Sequence, residues 1–382
     1  MTDSVHKNFV DSFKAELKIA SPGRINLIGE HTDYNKGFVL PTAIDKHIVF
    51  QFKKNGTTDT CNVYSATFDK MLTFNLNEVA PSDKEWENYI LGVVSQIQLR
   101  GKKLSGFDCI IESYLPMGSG ISSSAALECG LAFGLNQIFN LGLEKIELVK
   151  IGQKAEHTYV GTQCGIMDQF ASVMSQSGHV ILLDCNSISH QMIPADFGDY
   201  QVLLLNTNVS HNLADSAYNT RVAECASVVE AIAKYYPDVT SLRGVNFEML
   251  AEVTSEITPI AYKRARFVLE ENERVNKAVE ALKSKDLNTF GELMYGSHSG
   301  LQNDYEVSCE ELDFLTAFSK DYDQVLGARM MGGGFGGCTI NLIRKDGVES
   351  FVAEATKAYK EKFNIDLTSF TAVPSQGTAV TN

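Results

Sequence analysis

The sequence predicts a mixed α/β protein with two domains, and three observations support this fold class. The chain has 382 residues, more than one hydrophobic core usually supports. Its first half contains short runs of β-branched and aromatic residues between turn-forming residues, a pattern typical of strands. Its second half contains long segments in which apolar residues recur with helical spacing. We therefore expect an N-terminal domain at residues 1–195 and a C-terminal domain at residues 196–382.

The first half alternates predicted strands with helices. The first strands are the apolar runs at residues 18–21, 48–54, 61–67, 71–76 and 107–115. A helix is predicted at residues 86–101, because its apolar residues have helical spacing and Gly101 is a suitable helix stop. A loop after residue 115 leads into helices at about residues 122–139 and 144–160, and a third helix begins near Asp168. Strands are then predicted at residues 179–184 and 200–207.

The second half is predicted to be mostly helical. The helices with the clearest periodicity are expected at residues 221–236, 261–286 and 287–302. Two or three strands are expected around residues 325–343, and another at residues 368–373. The sequence contains no internal repeat, low-complexity tract or long linker. The chain is therefore expected to consist of folded domains throughout.

Composition and charge limit the classes of partner. Hydrophobic residues make up 44% of the chain and charged residues 21%, which is the balance of a globular protein. The net charge of −14 argues against nucleic acid or an anionic membrane as the main partner. The apolar segment at residues 125–143 is interrupted by Glu128 and Asn136, so we interpret it as a buried helix and not as a membrane span. Any bound polyanion must therefore be held locally, by dipoles, a metal ion or a few basic groups.

Cysteine usage and the N-terminus bear on localisation. The eight cysteines include no C-x-x-C pair and do not cluster with histidine at zinc spacing. They are expected to be reduced core thiols. The first residues have neither the apolar core of a secretory signal nor the basic composition of a transit peptide. We expect a cytoplasmic protein.

A loop rich in glycine and serine, "PMGSGISSSAALE", lies at residues 116–128 between a predicted strand and a predicted helix. A helix N-terminus with unpaired N–H groups attracts phosphate, whereas serines in such a loop can also serve only as helix caps. Both interpretations remain open for the loop alone. A dinucleotide fingerprint is excluded, because no second strand ends in an acidic residue at the required distance. A P-loop is also excluded, because the one Gly-Lys pair, at Gly101, is not followed by serine or threonine.

Two further loops carry candidate functional residues. The segment "MMGGGFGG" contains five glycines in residues 332–337 and precedes a strand, so we interpret it as a loop pressed against a substrate. The segment "GTQCGIMDQF" places Asp168 at a predicted helix start. Aspartate is a common helix cap, so taken alone this residue has a structural explanation.

The segment "GRINLIGEHTDY" at residues 23–34 combines an apolar run with a cluster of polar and charged side chains. Arg24 precedes the run "INLI", and Glu30, His31, Asp33 and Tyr34 follow it. A buried strand does not favour these residues, and a solvated turn does not need the apolar run. The pattern indicates a binding cluster anchored to the core.

Together these segments resemble the galacto-, homoserine, mevalonate and phosphomevalonate kinase (GHMP kinase) family. The motifs that carry the resemblance, in matching order and spacing, lie at residues 23–34, 116–128, 164–170 and 327–342. Further matches such as "WENYILGV", "AEHTYVG" and "AYNTRVAEC" extend the resemblance from about residue 19 to the last strand. It implies a two-domain GHMP kinase fold with mixed sheets and helices, an active site in the interdomain cleft, and ATP lying mainly on the N-terminal domain.

The first motif is similar to the sugar-binding signature of the galactose-phosphorylating branch of this family. The resemblance implies that the γ-phosphoryl group of ATP is transferred to the anomeric hydroxyl of α-D-galactose. It implies Asp168 as the catalytic carboxylate and Arg24 as the catalytic arginine beside it. A guanidinium there would stabilise the carboxylate and offset charge on the transferred group. The sugar-binding residues implied by the resemblance are Glu30, His31, Thr32, Asp33, Gly165, Asp168 and Tyr218.

The resemblance also implies a nucleotide site and a Mg²⁺ ion. Ser124 and Glu156 match the metal ligands, and a hard cation beside two phosphates needs few protein oxygens. Trp86 and Tyr89 match aromatic residues of the adenine pocket. The phosphate loop implied by the resemblance comprises Gly118, Ser119, Gly120, Ile121, Ser122, Ser123 and Ser124.

Two alternatives are compatible with the same resemblance. One is a related kinase acting on N-acetylgalactosamine or a pentose, and the other is a non-catalytic galactose sensor. The sensor class loses residues of the serine loop, whereas "SSSAA" is intact here. Ser119, Ile121 and Met331 depart from the residues common in the family, and none of them removes a catalytic group. We expect a monomer.

Overall fold

The computed structural model describes residues 3–210 and 214–381 and has a mixed α/β architecture, as predicted. Its strands, in chain order, are β1 (Leu17–Asn26), β2 (Phe38–Val39), β3 (Pro41–Lys54), β4 (Thr60–Ser65), β5 (Lys70–Asn75), β6 (Phe107–Ser113), β7 (His179–Asp184), β8 (Ser189–Pro194), β9 (Tyr200–Ser210), β10 (Val325–Met330), β11 (Gly336–Arg344), β12 (Thr368–Ala372) and β13 (Ala379–Thr381).

The helices are also numbered in chain order. They are α1 (Asp3–Asp11), α2 (Glu85–Leu99), α3 (Ser123–Ile138), α4 (Lys145–Ala155), α5 (Met167–Met174), α6 (Ala214–Ala233), α7 (Phe247–Glu252), α8 (Pro259–Lys283), α9 (Leu287–Asn303), α10 (Glu310–Lys320) and α11 (Val348–Phe363). A single π-helical turn, Glu156–Val160, continues α4. The predicted helix at residues 144–160 is thus confirmed, but its last turn changes geometry at Glu156.

Within the described residues the strands form three sheets. The largest has the order β13-β1-β3-β6-β4-β5, a second has the order β10-β11-β9-β12, and a small one has the order β2-β7-β8. Helices α2, α3 and α4 pack with one another, and α3 lies on β1 and β3 of the first sheet. Helices α9 and α10 pack on β10 of the second sheet. The last strand, β13, pairs with β1 and so returns the chain to the first sheet.

The largest buried apolar cluster draws on both halves of the chain. It includes Phe50 and Phe52 of β3, Leu204 of β9, Phe290 of α9 and Ile340 of β11. Gly130 and Gly134 of α3 leave no room for a Cβ against those two phenylalanine rings, so the helix lies close on the sheet. This continuous packing gives the elements that carry the site a fixed relative position. The domain boundary near residue 195 remains a prediction.

Most predicted elements are confirmed, and several short ones were missed. The strand predicted at residues 18–21 is too short, because β1 continues through Arg24 to Asn26. The sequence predicted that this strand ends at the Pro-Gly pair. The strand accommodates that pair through an irregularity in its pairing with β3 between Pro22 and Arg24. The elements that the sequence did not predict are α1, α7, α10, α11, β2, β8 and β13.

The segment interpreted as a buried helix is α3, and most of its side chains are buried. Among the described residues, no helix is long and apolar enough to cross a membrane. All eight cysteines belong to the described part of the chain and are free thiols, as predicted. Six of them are buried. Burial raises the pKa of thiols such as Cys109 and Cys129 well above its usual range.

Candidate active site

A buried arginine and an aspartate from distant parts of the chain form the centre of the candidate site. Arg24 Nε donates to Asp168 Oδ1 at 2.7 Å, and its Nη2 donates to Asp168 Oδ2 at 2.8 Å. The Ser122 hydroxyl donates to Asp168 Oδ2 at 2.5 Å. Burial lowers the pKa of Arg24, but the charge and hydrogen bonds of Asp168 outweigh this effect and raise it. The arginine is therefore a permanent cation that orients the carboxylate.

Arg24 is held in place by backbone contacts with the serine-rich loop. Its Nη1 donates to the carbonyl of Gly120 at 2.7 Å, and its backbone N–H donates to the carbonyl of Ile121 at 3.0 Å. A Cβ at Gly23 would lie 2.9 Å from that same Ile121 carbonyl, so glycine is needed for the strand to approach the loop. Strand β1 and the loop are therefore one structural unit at this point.

Asp168 does not cap the helix on which it lies. Helix α5 begins at Met167, its N-cap position is Ile166, and no side chain caps it. The Asp168 carboxylate instead meets Arg24 and Ser122. The sequence left helix capping open as a structural explanation for Asp168. The contacts of its side chain do not agree with that explanation.

A polar cavity opens beside this pair. The residues that line it are Arg24, Glu30, His31, Asp33, Cys164, Gly165, Met167, Asp168, Tyr218, Gly332 and Gly333. Six of the seven residues predicted to bind sugar are in this set. Thr32 is not: it is fully buried, and its hydroxyl donates to the carbonyls of Gly29 and Phe38 at 2.9 and 2.6 Å. Thr32 closes the turn that presents its neighbours.

Glu30 is anchored from the second half of the chain. Its Oε1 accepts hydrogen bonds from Arg329 Nη2 at 3.0 Å and from the backbone N–H of Gly332 at 2.9 Å. Arg329 is fully buried and also donates to the carbonyls of Leu27 and Met330. One guanidinium thus connects the apolar run of the first motif, the Glu30 carboxylate and the end of β10.

Asp33 lies in a tight, acidic environment. Burial and, after it, the charge of Asp168 raise its pKa to about 7, although backbone hydrogen bonds from Tyr34 and Met167 oppose both effects. A Cβ at Gly165 would lie 1.9 Å from Asp33 Oδ2, so only glycine leaves room for this carboxylate. Gly165 therefore shapes the cavity by having no side chain beside Asp33.

The loop predicted to press against a substrate forms one wall of the cavity. Gly332 and Gly333 line it, and a Cβ at Gly333 would lie 3.6 Å from the ring of Tyr218. Gly334 has a φ of +91°, and a Cβ there would lie 2.0 Å from the carbonyl of Val307, so this turn requires glycine. Met331, which departs from the family pattern, is buried in the apolar core and is absent from the cavity lining.

A second, mainly apolar pocket lies on the other side of the serine-rich loop. Its volume is about 400 Å³, within the range of small-molecule sites. Trp86 and Tyr89 of α2 line it, together with Gly118, Ser123 and Ser124 of the loop. Both residues predicted for adenine and three of the seven predicted for the phosphates therefore line one pocket. The other four loop residues, Ser119, Gly120, Ile121 and Ser122, are not part of its lining.

The serine-rich loop ends at the N-terminus of α3 without a side-chain cap. Ser122 occupies the N-cap position in a left-handed conformation and makes no capping hydrogen bond, because its hydroxyl donates to Asp168. Ser119 Oγ donates to the carbonyl of Pro116 at 2.6 Å, and the side chain of Ile121 packs in the core. Capping by serines alone therefore does not explain this loop, and the first two residues of α3, Ser123 and Ser124, line the apolar pocket.

Ser124 and Glu156 line a third, open cavity that adjoins the apolar pocket through Ser124. Burial and the charge of Asp168 raise the pKa of Glu156 to about 7, opposed by hydrogen bonds from Cys164, Ser124 and Gln169. One hydroxyl and one carboxylate oxygen, set among negative charges, fit a hard divalent cation that completes its shell with phosphate and water. The described residues contain no cluster of three or more His, Cys, Asp or Glu side chains suited to a metal.

Sequence reasoning missed several polar residues of this region. Gln169 Nε2 donates to Glu156 Oε2 at 2.9 Å and to Glu128 Oε2 at 3.2 Å. Glu128 is fully buried on α3, and burial raises its pKa well above the usual range. Its presence inside an apolar helix was a signal that could have been used, because an isolated buried carboxyl group is costly. Arg329 offered a weaker signal, as a charge within a buried strand.

Three family models match this chain. "GHMP kinases N terminal domain" matches residues 88–176, and "GHMP kinases C terminal" matches residues 278–361. With the fold and the arrangement of the site, these matches define the class of protein: the chain belongs to the GHMP kinase family, as the motifs predicted. The third model, "Galactokinase galactose-binding signature", matches residues 7–54, which include the Glu30–Asp33 cluster.

Curated relatives narrow the family further. A galactokinase of Thermotoga neapolitana is 41% identical over 357 residues, covering 92% of this chain and 96% of that protein. A galactokinase of Limosilactobacillus reuteri is 40% identical over 376 residues, covering 95% of both chains. The crystal structure of Lactococcus lactis galactokinase complexed with galactose matches 99% of both chains with a TM-score of 0.93 and 36% identity. Within the GHMP kinases, this chain belongs to the galactokinases.

A more distant neighbour supports the fold. A mevalonate kinase structure matches 94% of this chain with a TM-score of 0.65 and 20% identity. At that identity the likeness concerns the fold alone. It confirms the predicted mixture of sheets and helices as the GHMP kinase fold.

Proposed function

We propose that this enzyme transfers the γ-phosphoryl group of ATP to the anomeric hydroxyl of α-D-galactose, giving galactose 1-phosphate and ADP. The observation that carries the proposal is the position of the Arg24–Asp168 pair. It lines the polar cavity that contains Glu30, His31 and Asp33, while Ser122, bonded to Asp168, belongs to the loop that borders the apolar pocket. A sugar in the first site and a nucleotide in the second would meet at this pair.

Asp168 is proposed to accept a hydrogen bond from the anomeric hydroxyl and to receive its proton during transfer. Its two oxygens are already oriented by Arg24 and Ser122, so the hydroxyl would meet a carboxylate in a fixed position. Phosphoryl transfer depends mostly on positioning and charge neutralisation. Arg24 supplies both, because it orients Asp168 and carries a permanent charge beside the path of the transferred group.

The surrounding residues are proposed to recognise the sugar. Glu30 and Asp33 offer carboxylate oxygens to its hydroxyls, and Tyr218 covers the cavity from α6. A site built from hydrogen-bonding groups discriminates strongly between stereoisomers, since a wrong hydroxyl leaves buried polar groups unpaired. The Glu30–Arg329 contact supports this role, because it fixes one carboxylate oxygen and leaves the other for a ligand.

Ser124 and Glu156 are proposed to hold Mg²⁺ with the β- and γ-phosphates. When bound, the ion would neutralise phosphate charge. The chain's own contribution is to hold Glu156 near Ser124 through Gln169 and Cys164, so that a binding oxygen pair exists before nucleotide arrives. Trp86, Tyr89 and the residues Gly118 to Ser124 are proposed to bind the adenine and the phosphates. We also propose a cytoplasmic monomer.

The alternatives are a kinase for N-acetylgalactosamine or a pentose, and a non-catalytic sensor. The intact serine loop and its contact with Asp168 favour an enzyme over a sensor. Product analysis tests the proposal directly: the protein is incubated with ATP, Mg²⁺ and galactose, and the product is examined by ³¹P NMR. A phosphate coupled to the anomeric proton is expected. Phosphate on another carbon, or no sugar phosphate, would contradict it.

A further inference from the structure

Behind the sugar cavity, a closed circuit of hydrogen bonds begins and ends at His31. His31 Nδ1 lies 2.9 Å from the Tyr34 hydroxyl, which lies 2.7 Å from the Tyr305 hydroxyl. The Tyr305 hydroxyl lies 3.2 Å from Cys225 Sγ. Asn35 Nδ2 donates to Cys225 Sγ at 3.6 Å and to the carbonyl of His31 at 2.9 Å, which completes the circuit.

The circuit joins parts of the chain that are far apart. His31 and Tyr34 lie in the first motif and Asn35 directly follows it, whereas Cys225 lies on α6 and Tyr305 follows α9. Tyr305 and Cys225 are at most 1% exposed, and His31 and Asn35 are at most 5% exposed. Leaving any of these polar groups unpaired would be costly at such burial. The fold itself therefore supplies the hydrogen-bond partners of these groups, and solvent does not.

The imidazole of His31 is neutral. Burial and the charge of Arg221 lower the pKa of His31 to about 3, and Arg329 contributes in the same direction. In a neutral imidazole one nitrogen donates and the other accepts, and the hydrogen bond at one nitrogen decides the role of the other. The partner at Nδ1 therefore decides whether Nε2 can donate to a ligand.

The amide of Asn35 makes Cys225 Sγ an acceptor at one end of the Cys225–Tyr305–Tyr34 series. Its Nδ2 must donate to the His31 carbonyl, which only accepts, so the same nitrogen also donates to Cys225 Sγ. When the thiol gives its own hydrogen to Tyr305, the Tyr305 hydroxyl is left to donate to Tyr34, and the Tyr34 hydroxyl to His31 Nδ1. In this direction Asn35 donates twice, Cys225, Tyr305 and Tyr34 donate once each, and His31 accepts at Nδ1 and at its carbonyl oxygen.

The other ring nitrogen is free to act on a ligand. His31 Nε2 has no hydrogen-bond partner within the described part of the chain, although it is buried and its residue lines the cavity. The carbonyl of Gly333, another residue of the lining, favours a proton on the ring. That carbonyl acts on the ring without meeting the geometry of a hydrogen bond to Nε2. A ligand oxygen is therefore the partner that this nitrogen lacks.

We propose that Tyr34, Tyr305 and Cys225 are positioning residues that keep the His31 proton on Nε2, so that His31 donates a hydrogen bond to a hydroxyl oxygen of the sugar. This inference rests on the proposed sugar-binding function of the cavity. It explains the composition of the lining: when ionised, the carboxylates of Glu30 and Asp33 only accept, so a hydroxyl that gives its proton to one of them has an oxygen left to accept from a donor. His31 supplies that donor without adding a charge.

The tautomer can be observed in the unmodified protein. Two-dimensional ¹H–¹⁵N spectra of the ¹⁵N-histidine-labelled enzyme distinguish a ring protonated at Nε2 from one protonated at Nδ1. The His31 signals are identified by their loss in His31→Gln. The proposal predicts a neutral ring protonated at Nε2 between about pH 6 and pH 8. A ring protonated at Nδ1, or at both nitrogens, would overturn it whatever sugar the enzyme uses.

Kinetics test the contribution of the circuit to binding. Tyr34→Phe and Tyr305→Phe keep the rings and remove the hydroxyls. Each is expected to raise the KM for galactose by roughly tenfold, about the effect of one lost hydrogen bond, with kcat and the KM for ATP changed less than about threefold. Tyr322→Phe is the matched control, because its hydroxyl bonds to Ser350 far from the cavity. An unchanged galactose KM in both circuit variants would contradict the proposal.

Cys225 provides a rescue experiment. Cys225→Ser retains a group that accepts from Asn35 and donates to Tyr305, whereas Cys225→Ala does not. The serine variant is expected to keep the galactose KM within about twofold of the parent, and the alanine variant to raise it as the tyrosine variants do. Equal KM values for the two variants would show that Cys225 only fills space. If the enzyme fails to phosphorylate galactose at all, the proposed function fails, and the NMR experiment still decides the tautomer.

Discussion

Arg24 and Asp168 lie 144 positions apart in the chain and are joined by two parallel hydrogen bonds of 2.7 and 2.8 Å. Both oxygens of the carboxylate are thereby oriented, and Ser122 adds a third contact. Such paired, charge-assisted hydrogen bonds are stronger and more directional than single neutral ones. The geometry is suited to presenting a carboxylate to a substrate hydroxyl in a defined position.

Replacing Asp168 by asparagine tests its proposed catalytic role. Asp168→Asn retains the shape of the side chain but removes the negative acceptor, so kcat should fall by about two to four orders of magnitude. ATP affinity, measured by fluorescence titration, should change little, because Asp168 is not part of the apolar pocket. Asp323→Asn, at an exposed position, is the control. A folded Asp168→Asn enzyme with the parent kcat would leave Asp168 only a structural role.

Replacing the proposed metal ligands should change the response to Mg²⁺. Glu156→Gln and Ser124→Ala each remove an oxygen ligand, so the Mg²⁺ concentration giving half-maximal activity should rise by roughly tenfold or more and kcat should fall. Activity is measured over a Mg²⁺ titration at saturating ATP and sugar. Glu292→Gln on the exposed face of α9 serves as the matched control. Superimposable titration curves for Glu156→Gln and the control would refute the assignment.

The environment of Asp33 predicts a pH-dependent cost to stability. Its pKa is about 7 in the folded protein against an ordinary value of 3.8, so the unfolded chain loses this proton first as pH rises. The contribution of Asp33 to stability therefore falls from about pH 4 to pH 7 and is constant above that range. The free energy of unfolding of Asp33→Asn minus that of the parent should therefore increase by about 2 kcal/mol from pH 5.5 to pH 7.5.

Urea denaturation of the ligand-free proteins at the two pH values measures this change. The exposed variant Asp323→Asn should show a stability difference from the parent that varies little with pH. If the stability difference between Asp33→Asn and the parent is also the same at both pH values, the Asp33 carboxyl group titrates normally and burial does not oppose its ionisation.

The contact between Arg329 and Glu30 predicts a large effect on stability. Arg329→Met leaves the Glu30 carboxylate buried without its guanidinium, and three backbone carbonyls, those of Asn26, Leu27 and Met330, lose a donor. The expected cost is about 3–5 kcal/mol, the usual range when one partner of a buried ion pair is removed. The exposed pair Arg344–Asp346 offers the control variant Arg344→Met, expected to cost less than about 1 kcal/mol. Similar urea midpoints for the two variants would contradict the account.

The long, strongly periodic elements were predictable from the sequence, and the short ones were not. The apolar spacing in α8 and α9 exceeds four turns in each helix, which makes the pattern unambiguous. Strand β13 has three residues and exists because it pairs with β1, a contact invisible in local sequence. Helices α10 and α11 are rich in charged residues on their exposed faces, which obscured the buried stripe formed by residues such as Leu315 and Phe351.

The same distinction applies to the candidate site. Its cluster of charges in residues 23–34 was visible because polar side chains beside an apolar run are unusual. Arg24 was nevertheless not expected within a buried strand, since its partner Asp168 comes from another region of the chain. Tyr305 and Gln169 carry no local signal of their contacts with the site, and Arg329 carries only the weak signal of a charge within a buried strand. Their roles depend on tertiary packing, which sequence patterns do not encode residue by residue.

The choice of sugar tests the central claim most directly. Glucose differs from galactose only in the orientation of the C4 hydroxyl, and mismatched hydroxyls leave buried groups such as Asp33 unpaired. A coupled ATP-consumption assay across galactose, glucose, N-acetylgalactosamine and pentoses should give a kcat/KM for galactose at least roughly a thousandfold above that for glucose. Asp33→Ala should lose most of this preference. Comparable efficiency with glucose, or a clear preference for N-acetylgalactosamine or a pentose, would contradict the assignment of galactose as the substrate.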